Sequence, residues 1–202
     1  MSAIPARAGP LRTDGALLLS LFRGGEDMKL TMAQLRVLGM HMHGVRARDW
    51  DARSAALLEP SASAQPLALM SALILYEWNL DRGESAVAGE WIDRARVTPE
   101  AQSRSSRGNV LAESAYFEAF YRHNPQQARQ WLEEAGSDWT LETFVRSRAD
   151  AAVLLSEGRR IEAAEACDQA LATLRREFPS GRLPATEQDW ISEIRARAID
   201  SG

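Results

Sequence analysis

The sequence predicts an all-α chain built from stacked helical hairpins, and three observations lead there. Alanine, leucine, arginine and glutamate dominate the composition, all strong helix formers. The alternation of β-branched and aromatic residues expected of strands is absent. Within Ala149–Leu171 the chain reads as a helix, a tight turn at Gly158, and a second helix with Ala163, Ala166, Cys167 and Ala170 at i, i+3, i+4 and i+7. That spacing gathers small residues on one stripe, where a neighbouring helix can approach closely. The stripe recurs: Ala88, Trp91, Ile92 and Ala95, then Ala128, Trp131, Leu132 and Ala135. Five residues before each set stand Gly83, His123 and Gly158, where each hairpin must turn.

Charge and composition narrow the function classes. The net charge of −4 comes from interspersed rather than blocked residues, and no basic stripe of the kind nucleic acid requires is present. The short runs Arg94–Arg96 and Arg104–Arg107 read as solvated surface. No apolar run approaches the ~20 residues of a spanning helix. The opening residues lack a signal core, and the initiator methionine favours a free-standing chain. A single cysteine, Cys167, sits on a small-residue stripe and reads as a buried small hydrophobe. A soluble cytoplasmic protein is the expectation.

Taken in order, residues 1–12 form an arm holding two prolines, and 13–65 an N-terminal helical segment. Thr13 or Asp14 caps a helix reaching Gly24, with Leu17, Leu18, Leu21 and Phe22 as its apolar face. A second helix spans about 27–43, with Leu30, Ala33, Val37 and Met40 as its stripe and Gly44 as its stop. Asp51 caps a short helix ending at Glu59-Pro60, and the SASAQP run is a loop. Residues 66–178 carry the hairpins. Residues 179–202 hold a capping helix, Pro184–Ile199, which lays Trp190, Ile191 and Ile194 on the last hairpin.

The repeat register resembles the tetratricopeptide fold. Its alanines at the close-packing positions of the second helix stand in all three units, which recur at 40- and 35-residue intervals. The likeness covers about Leu67–Arg176, and the family's aromatic and glycine positions in the first helix are mostly missing. It implies a solenoid whose first helices line a concave surface. By register that surface receives Leu73, Glu77 and Asp81, then Glu113, Phe117, Phe120 and Tyr121, then Arg148, Ala152 and Leu155.

A second resemblance lies nearer the amino terminus. LRTDGALLLSLFRGG, followed after a helix by GVRARDW, is similar to the segment leaving the membrane core in bacterial site-2 proteases, intramembrane zinc metalloproteases. The resemblance implies that this chain corresponds to the soluble C-terminal tail of such proteins, with Asp14 matching a zinc ligand. Nothing here reads HExxH, and one carboxylate cannot hold a catalytic zinc, so no protease activity is expected. Asp14 reads as a helix cap.

Candidate chemistry is sparse. His41 and His43, at i and i+2, point away from one another and cannot share a metal on a helix. His123 sits at a repeat turn, where it can bond a helix-end carbonyl. No nucleophile elbow, phosphate-cradling loop or metal-spaced set occurs, so neither cofactor nor metal is expected. Trp91 and Trp131 share a repeat position and read as packing, while Trp78 lies on a first helix with no core role there. The leading expectation is a non-catalytic binding or scaffold module. Its site comprises Glu77, Trp78, Asp81, Glu113, Phe117, Phe120, Tyr121 and Arg148, holding a peptide, a protein partner or a small apolar ligand. If the amino-terminal helices fold over this face, the same residues are core. An alternative is a closed bundle acting on an apolar metabolite, with Glu77, Glu113 or His123 as acid or base. Homodimerisation through the leucine-rich helices at Ala16–Phe22 and Leu30–Met42 is a third possibility.

Overall fold

The computed structural model describes residues 7–8, 11–12, 25–59, 68–103, 105–136, 143–178 and 184–200. The expected helix capped by Thr13 or Asp14, the SASAQP loop and the Asp14 correspondence lie outside those residues. Among them the chain is all-α, with nine α-helices and two short 3-10 turns. The one strand pairing is a two-residue antiparallel ladder of Arg7–Ala8 with Leu11–Arg12, inside the segment read as an arm.

Helix α1 spans Glu26–Met42 and stops where expected. Gly44 takes φ 74°, its N–H bonds His41 O, and Val45 N–H bonds Met40 O. This paired closure is the Schellman motif, which needs a residue that tolerates the left-handed region. A 3-10 turn at Ala47–Asp49 leads to α2, Ala52–Leu58. Asp51 caps α2 by accepting from Arg53 N and Ser54 N, meeting two donors the first turn cannot satisfy.

Three hairpins follow: α3 (Ala68–Asp81) with α4 (Ser85–Val97), α5 (Arg107–Phe120) with α6 (Pro125–Ala135), and α7 (Thr143–Ser156) with α8 (Arg160–Glu177). Between hairpins, α5 packs against α7, α4 against α5, and α6 against α7. Helix α9, Ala185–Asp200, lies on α8 and reaches α7. The alanine stripes do the expected work, for Ala88, Ala95, Ala128, Ala135, Ala163, Cys167 and Ala170 are all buried. Gly89 carries the closest approach. A Cβ there would come within 3.0 Å of the Phe117 ring on α5. Trp91 is buried under Arg94, and Trp131 lies under Arg96 of the preceding hairpin, 4.6 Å from guanidinium to ring centre. Cys167 is buried, and that burial pushes its thiol up to about 12, with Asp168 adding to the effect.

The hairpin turns fall at the three expected positions, but only two are alike. Gly83 (φ 81°) and Gly158 (φ 79°) close their helices with the same paired carbonyl bonds seen at Gly44. At the middle turn His123 takes φ 54°, the one non-glycine residue in that region among the described residues. Its turn is held instead by Asn124, which caps α6 by accepting from Gln127 N, ahead of Pro125. What the turn uses at His123 is a backbone conformation that costs an L-residue about 1–2 kcal/mol. His123→Gly is therefore expected to stabilise the chain by about 0.5–1 kcal/mol, net of the flexibility glycine adds to the unfolded state. Gly158→Ala is expected to destabilise it by about 1 kcal/mol. Urea unfolding of the two variants beside the parent checks both signs.

Candidate functional site

The site grows from one residue. Arg148 lies on the inward stripe of α7 and is wholly buried. A guanidinium cannot shed its proton and cannot lie in an apolar interior without compensation. Compensation comes from two directions. Nη2 donates to Glu113 Oε1 of α5 at 2.5 Å, and Nη1 donates to Glu187 Oε1 of α9. The guanidinium plane also lies over two rings, 4.4 Å from the centre of Tyr116 and 4.9 Å from that of Trp190. Burial works to lower the Arg148 pKa, but Glu113 and Glu187 outweigh it and hold the charge firmly in place.

Two further helices reach the same neighbourhood. On α3, Tyr76 is buried with its ring edge against Phe117, and desolvation followed by the nearby Glu113 charge drives its phenol well above the ordinary value. Glu77, the next residue, places Oε1 3.6 Å from His41 Nδ1 of α1. Glu187 feels the whole set. Burial pushes its carboxyl up to about 8 against the pull of Arg148, with Glu113 and Glu77 raising it further. One guanidinium thus faces three carboxyl groups, and burial together with the neighbouring acids holds Glu187 above the ordinary carboxyl range.

Beside this cluster a clamp ties α9 to the connector after α1. Arg46 donates to Asp81 Oδ1 at 2.7 Å and also bonds Asp189, while Arg48 N donates to Asp81 Oδ2 at 2.9 Å. Ala47 N donates to Thr186 Oγ1 at 2.9 Å. The first-helix face is therefore overlaid by the connector and by α9. Phe117 and Phe120 are buried within a ring stack that includes Tyr116, Tyr121 and Trp190.

Of the residues expected to form the site, Glu77, Glu113 and Arg148 come together, with Phe117, Phe120 and Tyr121 packed beside them. Asp81 belongs to the connector clamp. Trp78 is half-buried under the Arg82 guanidinium, 4.4 Å from its ring centre. His123 does not join them. It is exposed at the far end of α5 and, at ~1.5 Å per residue, lies about 15 Å along the axis from Glu113.

Sequence reasoning missed Glu187, Tyr76 and Tyr116. The signal for Glu187 was available: it stands at i−3 from Trp190 and i−7 from Ile194, a carboxylate on the stripe expected to pack inward. Several polar atoms of the cluster have no hydrogen-bond partner among the described residues. These are Tyr76 Oη, Glu77 Oε1, Glu113 Oε2, Glu187 Oε2 and Arg148 Nε. The side chains of Glu77 and Glu113 keep 20% and 15% of their exposure, although their unpaired oxygens are buried. Chemically, the cluster holds more acceptor oxygens than the donors around it satisfy. Among the described residues no set of three or more His, Cys, Asp or Glu side chains could hold a metal ion, and no helix is long and apolar enough to cross a membrane. No protein-family model, no curated protein and no solved structure matches the chain.

Removing the guanidinium strands Glu113 and Glu187 in the interior. Arg148→Met is expected to cost about 3–5 kcal/mol in chemical unfolding. The titration of Glu187 has a definite sign. Its folded pKa lies above its unfolded value, so between roughly pH 5 and 8 the folded state holds the extra proton and stability falls as pH rises. Glu187→Gln, which does not titrate, is expected to lose less stability than the parent across that interval. Unfolding free energies at pH 5.5 and 8.5 check the difference.

Proposed function

We propose that the chain is a non-catalytic binding module in which tetratricopeptide-like hairpins hold a donor-rich organic cation beside Glu77 and Glu113. An amine or guanidinium, free or borne on a peptide, has the required chemistry. The observation that carries the reading is the set of carboxylate oxygens without a hydrogen-bond partner among the described residues, Glu113 Oε2 and Glu187 Oε2 with Glu77 Oε1, which has only the His41 ring 3.6 Å away, beside the buried Tyr76 hydroxyl; the Glu77 and Glu113 side chains are partly exposed. Buried polar atoms ordinarily find partners, and a bound ammonium supplies donors where this cluster has spare acceptors.

Support for the tetratricopeptide-like arrangement lies in the three hairpins, their buried small-residue stripes and the packing of α5 on α7. The likeness to the cytoplasmic tail of site-2 proteases is in keeping with a binding role without a catalytic centre. An acid–base enzyme fits less well, because Glu113 and Glu187 both hold Arg148 and His123 stands apart from them.

Titration of the full chain with spermidine and with arginine methyl ester, followed by thermal unfolding, tests the reading. Ligands that bind only the folded state raise its melting temperature with concentration. The expected result is such a rise for the parent and its loss in Glu77→Gln/Glu113→Gln. A melting temperature indifferent to both cations, or a rise that survives the double substitution, would overturn it.

A further inference from the structure

Helix α9 meets the rest of the chain across a junction that holds more acid than base. From its first two turns it brings Glu187 and Asp189. The first-helix face already presents Glu77, Asp81 and Glu113. Two guanidiniums bridge these acids: Arg148 bonds Glu113 and Glu187, and Arg46 bonds Asp81 and Asp189. His41 of α1 adds positive charge beside Glu77 only when its ring is protonated. Tyr76 and Tyr116 also face the cluster, and burial keeps both phenols neutral. The charges of α8 that reach α9 are Asp168, paired with Arg195, and Arg160, bonded to the carbonyls of Arg197 and Ala198; both meet α9 two turns or more beyond Glu187. Within this set Glu187 is the most deeply buried acid, with its side chain 7% exposed against 15% for Glu113 and 20% for Glu77. Its Oε1 accepts from Arg148, while its Oε2 has no hydrogen-bond partner among the described residues. Ionising it places a second carboxylate on a guanidinium that Glu113 already shares, in an interior where unmatched charge is costly. Burial, with Glu113 and Glu77 adding to it, accordingly pushes its carboxyl up to about 8 against the pull of Arg148.

We infer that this junction is a pH-operated clasp: with Glu187 protonated, α9 is closed on the first-helix face, and with Glu187 ionised, α9 lifts from it while the hairpins stay folded. Lifting relieves the excess charge, because it carries Glu187 and Asp189 into water and leaves Arg148 to Glu113. The hairpins need not follow, since α3 to α7 pack on one another without α9 between them. The connector after α1 does follow. Its Ala47 N–H donates to Thr186 Oγ1 and its Arg46 bonds Asp189, so both ties break when α9 leaves. Direction comes from linkage. The folded carboxyl lies above its unfolded value, so the closed state is most favoured below about pH 5 and loses that advantage as pH rises to about 8. This inference rests on the charges at the junction and is independent of the cation reading.

Backbone hydrogen exchange on the full chain at about pH 6 and about pH 8, corrected for the intrinsic pH dependence of exchange, tests it. The protection of α9 is expected to fall about 50-fold between the two, the ratio that linkage gives for a carboxyl titrating near 8. The Ala47 amide is expected to fall with it, while α3 and α4 keep their protection. Glu187→Gln, which cannot ionise, is expected to remove the fall. Glu77→Gln leaves both Arg148 bonds in place and takes one acid from the cluster, so it is expected to shrink the fall; it decides the matter if Glu187→Gln does not fold. Equal protection of α9 at both pH values would overturn the inference. So would a fall shared in full by α3 and α4, or one that survives these substitutions undiminished.

Discussion

A permanently charged guanidinium inside a helical chain constrains everything packed around it. Arg148 must meet carboxylates, and α7 supplies none at that level, so α5 has to bring Glu113 and α9 has to bring Glu187. The rings of Tyr116 and Trp190 complete the cage from those same two helices. A well-packed apolar trio in the same volume would be as stable or more so. The charged arrangement therefore contributes position above all: only a C-terminal helix docked in one register satisfies Arg148.

From that register the rest of the closed face follows. With α9 laid across α7 and α8, Thr186 and Asp189 stand where the connector after α1 can bond them, and Arg46 bridges from Asp189 to Asp81 at the end of α3. The connector after α1 and helix α9 are thereby tied to the first hairpin and to each other. What remains accessible on this face is its acidic rim at Glu77 and Glu113. The cluster carries more carboxyl groups than guanidinium, and with burial this surplus raises the Glu187 carboxyl.

Much of the architecture was legible in the chain. Small-residue stripes and turn positions follow from helical period and backbone conformation, both local properties, and so the hairpins fall where the spacing of Ala88, Ala128 and Ala163 places them. Even His123 was readable as a turn, although what it contributes is its φ and not a side-chain bond. The candidate site was legible only in part. Glu77, Glu113 and Arg148 share a face by register, yet register cannot say that a distant helix lies over that face. Glu187 is 39 positions from Arg148, and their contact depends on the angle at which α9 docks. Asp81 illustrates the same limit: its place on the first helix was clear, but its partners arrive from a connector whose path is tertiary.

The central claim is that Arg148 holds α9 on the first-helix face. Backbone hydrogen exchange, resolved by element, tests it most directly, since protection reports the free energy of local opening. The account predicts that Ala185–Asp200 is protected in the parent as strongly as Thr143–Ser156. It also predicts that Arg148→Lys, which keeps the charge but loses the fork to two carboxylates, exposes Ala185–Asp200 while Ala68–Val97 stays protected. Fast exchange of Ala185–Asp200 in the parent, or protection there unchanged by Arg148→Lys, would contradict it.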